Sequence, residues 1–581
     1  MKKIVSLLLV LSMLLAMALT LASCGAPEDD GARIKVYLGS EIRDFDPTDY
    51  YVDSNAEQVM SMLFEPLFAY RNGKIECAMA EEYEVDREER KIVVTLRESY
   101  WSNNTRVTAA DFVYAWCERL LSPDNANPAA ALLYDIENAA AHKNGTPGAG
   151  DPMIEATGTY ELTITYREGA DYKQLLRNLS SVATSPIREP KDVSSMNYWS
   201  KSVVTCYSNG PFKLTAYDDL GGGFTLTRNK GYHQDYKIED YDDEVKPGAI
   251  VALTTAFGEA IGVSVKDVEK KVVFYLGEAP LSERSANSKK TKLVDDTSVY
   301  SYVFDTKNPL FAIPEVRLAL SMAIDRAAIA ASVVYGKAAD GIIPDASSGS
   351  GEALISTKAD ITAAKALLEG AAVKAKLASL NKSFTLTVAN DEESKKIAET
   401  VKTAWAELGF TVTVNTVGNV KTTVTVGGQN PTEIYDSAIQ AMVKRASVDP
   451  DYSFGVIALD WQTYSNDAFV ALAAFTSDIN GCGRVLPDGG VRTSITRWVD
   501  ADYDALVSAA YKATDKDERA EYLAAAEKKL AEAMPIMPIL FNQTATYKSK
   551  DISGIKYDEF GNVIFTRAKQ KNYQDYLEDE E

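Results

Sequence analysis

The residues of this chain best suited to chemistry are few and far apart. Histidine, the usual base near neutral pH, occurs only as His142 and His233, and no HExxH, GxSxG or phosphate-cradling GxxxxGK[ST] pattern is present. Hydrolase chemistry therefore loses its usual base. Acids such as Asp449 and Asp451 could serve as a pair, but two residues apart on a turn is poor geometry for flanking one bond. Binding chemistry has better candidates. Lys444 and Arg445, side by side, suit a carboxylate or phosphate if they face a cleft, arginine best because its planar fork matches such groups bidentately; otherwise they sit on a solvated loop. Trp461 and Trp498 could stack on a ligand or fill a core, whereas Trp101 and Trp116 are assigned to packing. Cys77, Cys117, Cys206 and Cys482 are sparse and lack CxxC spacing, so they read as free, mostly buried thiols with one bridge possible. No metal site, cofactor or enzymatic activity is expected.

Cys24 has a different context. Lys2 and Lys3 precede a run from Ile4 to Leu21 without a charge, followed by small Ala22 and Ser23, the order of a secretory signal peptide and its cleavage site. An uncleaved anchor helix or a free cysteine is the alternative. Leu21-Ala22-Ser23-Cys24 resembles the bacterial lipobox. The resemblance implies a lipoprotein signal peptide over 1–23, a diacylglycerol on Cys24 and a lipidated tether over 24–32. Two acyl chains hold a domain durably at a membrane, where one holds it marginally. The expected location is thus the extracytoplasmic face of the bacterial cell membrane. Formal charge is −22 over 581 residues, and losing Lys2 and Lys3 makes it more negative still. Such a field repels nucleic acid.

The chain is too long for one core, and its 46% apolar and 25% charged composition is ordinary for a folded protein. Strands and helices interleave with no fixed repeat. Lys91 to Leu96 alternates Ile92, Val94 and Leu96 against polar neighbours, and Tyr160 to Tyr166 does the same with Leu162 and Ile164. Phe212 to Ala216 and Phe224 to Thr227 read as paired strands. Thr108 and Asp111 open a helix on which Phe112, Trp116 and Leu120 stack at i, i+4 and i+8. Ser383 to Ala389, a helical stripe of Ile397, Val401, Trp405 and Leu408 ended by Gly409, and Phe410 to Val414 form a βαβ unit whose strands should be parallel. Further helices begin near Pro314 and run from Asp517 to Ala533, stopped by Pro535.

Several segments together resemble one family, the extracytoplasmic solute-binding proteins of peptide and nickel ABC importers. They are FDPTDYY (45–51), LFEPLF (63–68), VVTLRESYWSNNTRVTAADFVYAW (93–116), SNGPFKLTAY (208–217), YVFDTKNPLFAIPEVRLALSMAIDR (302–326) and a long stretch over 500–539. The resemblance implies an α/β, two-lobe periplasmic-binding-protein-like (type II) fold with an extra subdomain on the first lobe. Lobe I would take 33–300, with the subdomain at about 55–185, lobe II 301–539, and 540–581 would return to lobe I and end in an acidic tail. The implied function is capture of a short peptide or similar small solute between the lobes and delivery to an ABC permease and its ATPase, by a monomer. A sensor or adhesin on the same fold, and an envelope hydrolase, are the competing classes. The resemblance also brings Tyr51, Val52, Asp53 and Ser54 near the cleft. It departs from the peptide-binding pattern at Ala129, where a tyrosine after the proline would contact ligand, and over 435–450, where Met442, Lys444 and Arg445 stand near the acid expected to pair with a ligand ammonium. Asp449, displaced in register, could do that work instead.

Overall fold

Two strands of thirteen residues, Lys292–Phe304 and Ile536–Lys548, form the spine of the structure, a computed structural model. It describes residues 32–37, 42, 44–49, 54–190, 199–217, 223–233, 250–256, 264–270, 273, 275–344, 347, 350–424, 432–486 and 489–571. The spine strands pair antiparallel, and each serves two neighbourhoods. On one side Ile536–Lys548 pairs with Tyr275–Leu276, beyond which lie Ala32–Tyr37, Ile250–Ala256, Phe224–Arg228 and Phe212–Tyr217. On the other, Lys292–Phe304 pairs with Val456–Gln462, followed by Ser383–Ala389 and Thr411–Val417. The sheet thus has a first wing and a second wing that meet at the spine. The register slips between Asp295 and Val299, so Asp296, Thr297 and Ser298 form a bulge where one neighbourhood gives way to the other.

That bulge is held from the C-terminal segment. Asp296 is buried and accepts from the Ser298 backbone N–H at 2.7 Å and its hydroxyl at 2.8 Å. Gly561 lies against it at φ +86°, where a side chain would be strained and its Cβ would sit 2.8 Å from that of Asp296.

Local patterning accounts for much of the rest. Ile92, Val94 and Leu96 are buried on the strand Lys91–Leu96, which joins Ala80–Asp86, Glu161–Thr165 and Ile154–Gly158 in a separate antiparallel sheet. The expected βαβ unit is present. Ser383–Ala389 and Thr411–Val417 are parallel, and between them the helix Glu392–Glu407 buries Ile397, Val401 and Trp405 and starts at Asp391, whose carboxylate accepts from Ser394 N at 2.7 Å. Phe212–Tyr217 and Phe224–Arg228 pair as expected. The helices expected near Pro314 and Asp517 are Pro314–Met322 and Lys516–Ala533.

Thr108 and Asp111 form a capping box on the helix Ala109–Val113. The chain then widens into a π-helix over Tyr114–Leu120, a departure from the regular stripe that still buries Phe112, Trp116 and Leu120 completely. Trp116 donates to Thr184 O at 2.8 Å and Trp101 to Asp111 at 3.3 Å, so both are packing residues. Cys77, Cys117, Cys206 and Cys482 are free thiols. Among the described residues no helix is long and apolar enough to cross a membrane, and no His/Cys/Asp/Glu group could hold a metal ion. The expected signal segment and Cys24 lie outside the described residues.

Candidate functional site

The turn Asp44–Asp49 follows the first-wing strand Ala32–Tyr37 and is fixed by charge and by amide donors. Asp44 accepts from Ser200 Oγ at 2.5 Å and stands 3.5 Å from Lys201 Nζ. Asp46 is almost fully buried, accepts from the Thr48 N–H and hydroxyl at 2.8 and 2.7 Å, and pairs with Arg119 at 2.5 Å. Arg119 comes from the π-helix. The backbone carbonyls of Thr48 and Asp49 receive the Asn127 side-chain amide at 3.0 and 2.9 Å, and Asn125 adds a donor to Thr48 O at 2.9 Å. Beneath them Lys143, fully buried, donates to the carbonyls of Leu120, Ser122 and Asn125 at 2.9, 2.9 and 2.7 Å. Burial pushes its pKa well below the ordinary lysine value. The loop that precedes Tyr51 is therefore set on a rigid support.

Facing this turn is a helix of the second wing. Ala438–Val448 follows the strand Thr432–Ser437, and buries Ile439, Val443 and Ala446. Lys444 and Arg445 therefore stand on a helix, not on the solvated loop that was the alternative to a cleft-facing position. Lys444 forms an ion pair with Asp49 of the first wing, 395 residues away in sequence. Burial works against its ammonium, but the Asp49 and Asp44 carboxylates outweigh it and raise the pKa above the usual lysine value.

Arg445 turns elsewhere. Its side chain is 61% exposed, pairs with Asp449 at 2.9 Å and lies 4.5 Å over the Tyr452 ring. Asp449 also accepts from the backbone N–H groups of Asp451 and Tyr452 at 3.0 and 3.1 Å, and the Arg445 hydrogen bond holds its pKa low. Arg497 fastens the end of the helix: it donates to Ala446 O at 3.1 Å, Asp449 O at 2.9 Å and Tyr452 O at 2.5 Å, and pairs with buried Asp305 at 3.3 Å.

Of the other expected site residues, Met442 is half-buried on the same helix. Trp461 is fully buried against Phe475, ring centroids 5.0 Å apart, and its indole N–H has no partner among the described residues. Trp498 packs on Tyr503. Tyr51, Val52 and Asp53 lie outside the described residues, and Ser54 begins the helix Ser54–Leu63. Ala129 is buried in the short 3₁₀ segment Pro128–Leu133. Contacts between distant stretches that periodicity could not foresee complete the arrangement: Tyr134 Oη donates to Asn480 at 2.7 Å, Ser465 Oγ to Asn178 at 2.8 Å, and Arg492 to Asp124 O at 2.7 Å. The supporting set Arg119, Asn125, Asn127 and Lys143 was likewise missed, although the Asn125-Ala126-Asn127-Pro128 spacing is a turn signature that flags two side-chain amides beside a helix start.

Two sheet wings on a two-strand spine, with a fixed turn on one meeting a helix on the other, define a binding clamp. The family of bacterial extracellular solute-binding proteins, family 5 (Middle), matches residues 74–481, and the chain belongs to it. It is similar to the dipeptide-binding protein DppE of Bacillus subtilis (strain 168), 26% identical over 499 residues, which span 83% of this chain and 81% of the relative. The oligopeptide-binding protein OppA of the same organism is 26% identical over 541 residues, 89% of each chain. Among solved structures, Listeria monocytogenes OppA bound to peptide superposes with a TM-score of 0.75 at 18% identity, over 93% of this chain and 99% of that one. The expected two-lobe α/β fold is the fold of these proteins.

Proposed function

We propose that this chain captures a short peptide, or a solute of similar size, between two lobes and delivers it to an ABC permease. The observation that supports this best is the clamp itself. The wings are linked through the paired spine strands and touch through Asp49 and Lys444, so a ligand contacting both sides favours the closed form by its differential affinity. The relatives named for dipeptides and oligopeptides supply the ligand class. The lobes divide at the Asp296–Ser298 bulge and near 540, with the separate four-stranded sheet as the inserted subdomain. Ligand would meet Tyr51–Ser54 from lobe I and Met442 from lobe II. Cys24 carries the lipid that keeps the clamp at the outer face of the membrane. No bond is made or broken.

A thermal-shift screen against peptide, sugar, metal and acidic-solute pools tests the ligand class. A ligand at 100 times its dissociation constant stabilises the fold by ~2.7 kcal/mol, so the peptide pool should raise the midpoint. A rise with another pool alone would reassign the solute, and a peptide that fails to stimulate the reconstituted permease's ATPase would favour a sensor.

A further inference from the structure

The acids of the Asp44–Asp49 turn are each matched by a cation: Asp44 by Lys201, Asp46 by Arg119, and Asp49 by Lys444. The first two cations belong to the same wing as the acids. The third arrives from the opposite wing on the helix Ala438–Val448. Both members of this last pair sit on preset supports. The Asp49 backbone is held by Asn127, and the helix carrying Lys444 is held at its far end by Arg497. Little freedom is left to lose when they meet, which separates this pair from an ordinary surface ion pair, whose long side chains give up rotamer entropy. Yet the side chains remain 38% and 27% exposed, so solute and salt can reach them.

We infer that Lys444 is a specificity-determining residue that acts as a tethered cation: bound to Asp49 across the cleft, it draws the lobes together without ligand and makes an incoming ammonium compete for that carboxylate. The ligand half of this inference rests on the peptide reading above; the closure half does not. Every unmodified short peptide carries an ammonium at one end. Displacing Lys444 would exchange one charge-assisted hydrogen bond for another, with no net gain, and would leave two cations beside one carboxylate. The pocket should therefore be nearly indifferent to whether the amino end of a peptide is charged. A ligand that leaves the Lys444–Asp49 pair in place gains affinity from the closed form populated before binding, because apparent affinity scales with the fraction of competent protein.

The test uses the full mature chain, Lys444→Met and Asp49→Asn. Small-angle scattering without ligand reads closure. The wild type should be compact at low ionic strength and expand in high salt, while both variants should be expanded throughout and insensitive to salt. Calorimetry with tri- to penta-alanine, free and N-acetylated, reads selectivity. The wild type should bind the two forms within about threefold; Lys444→Met, which takes this cation away from Asp49, should come to prefer the free amine by about tenfold, and Asp49→Asn should not. Scattering of Lys444→Met indistinguishable from wild type would overturn the closure half, and an unmoved acetylation preference would overturn the ligand half. If neither peptide form binds the wild type, it is the peptide reading that falls, and scattering alone then decides for or against the tethered cation.

Discussion

Arg497 and Lys444 each hold an aspartate next to the same helix, and they do opposite things. The side chains of Arg497 and Asp305 are each 1% exposed, belong to one wing, and are enclosed by further hydrogen bonds to Ala446, Asp449 and Tyr452. Lys444 and Asp49 are partly exposed and come from opposite wings. A charge pair sealed inside one body can only support that body, since breaking it strands a buried ion. A pair reachable by water between two bodies, even one on preset supports, stays open to salt and to a competing charge, so conditions and ligands can shift it. Burial, more than the identity of the cation, decides which pair is scaffold and which is switch.

The comparison breaks first at the buried pair. Arg497→Ala leaves Asp305 alone in the interior and should cost about 3–5 kcal/mol in denaturant unfolding. A loss within the surface range would remove the distinction.

A third region sharpens it, because there buried acids cluster together. Burial first, and then mutual repulsion, raises Glu57 to about 8; burial raises Asp296 to about 7 and Asp558 to about 6. Asn562 ties Glu57 to Asp558 at 3.4 and 3.0 Å, behind the spine bulge. Unfolded carboxyls ionise near 4, so the folded state holds the extra protons. Their contribution is complete below that value and is lost as pH rises through the folded values. The thermal midpoint should therefore fall by several degrees from about pH 5 to about pH 8, and Glu57→Gln should flatten the profile. A midpoint that rises over this window would contradict the assignment.

Asn127→Ala, which removes the amide from the Thr48 and Asp49 carbonyls, should cost about 1–3 kcal/mol, and it should weaken ligand binding through the loosened turn without changing the charge of the cleft. The smallest effect belongs to Arg445→Ala. Because the side chain is exposed and paired locally with Asp449, stability should change by no more than about 1 kcal/mol and peptide affinity should stay the same by calorimetry. A large loss of affinity would return Arg445 to the cleft.

Local patterning carried the strands and helices that depend on one face being apolar. Alternation at Ile92, Val94 and Leu96, the stripe Ile397, Val401, Trp405, and the Thr108–Asp111 cap all follow from contacts within a few residues. The π-helix was not legible, since nothing in its composition separates it from an α-helix. Its widened turn carries Arg119, which reaches Asp46. Nor was the helix under Lys444 and Arg445 foreseen, because a charge pair reads as a solvated loop where Ser437 caps a helix instead.

By itself the sequence determined the class of the molecule: periodicity and an ordered series of motifs suffice where a contact is short in sequence or shared across a family. Tertiary structure alone decided the partners of its charges. Lys444 finds Asp49 across 395 residues, Lys143 is surrounded by three carbonyls, and Arg497 closes on Asp305, because electrostatic pairing depends on distance and burial in space, and neither is encoded in the spacing of residues along the chain.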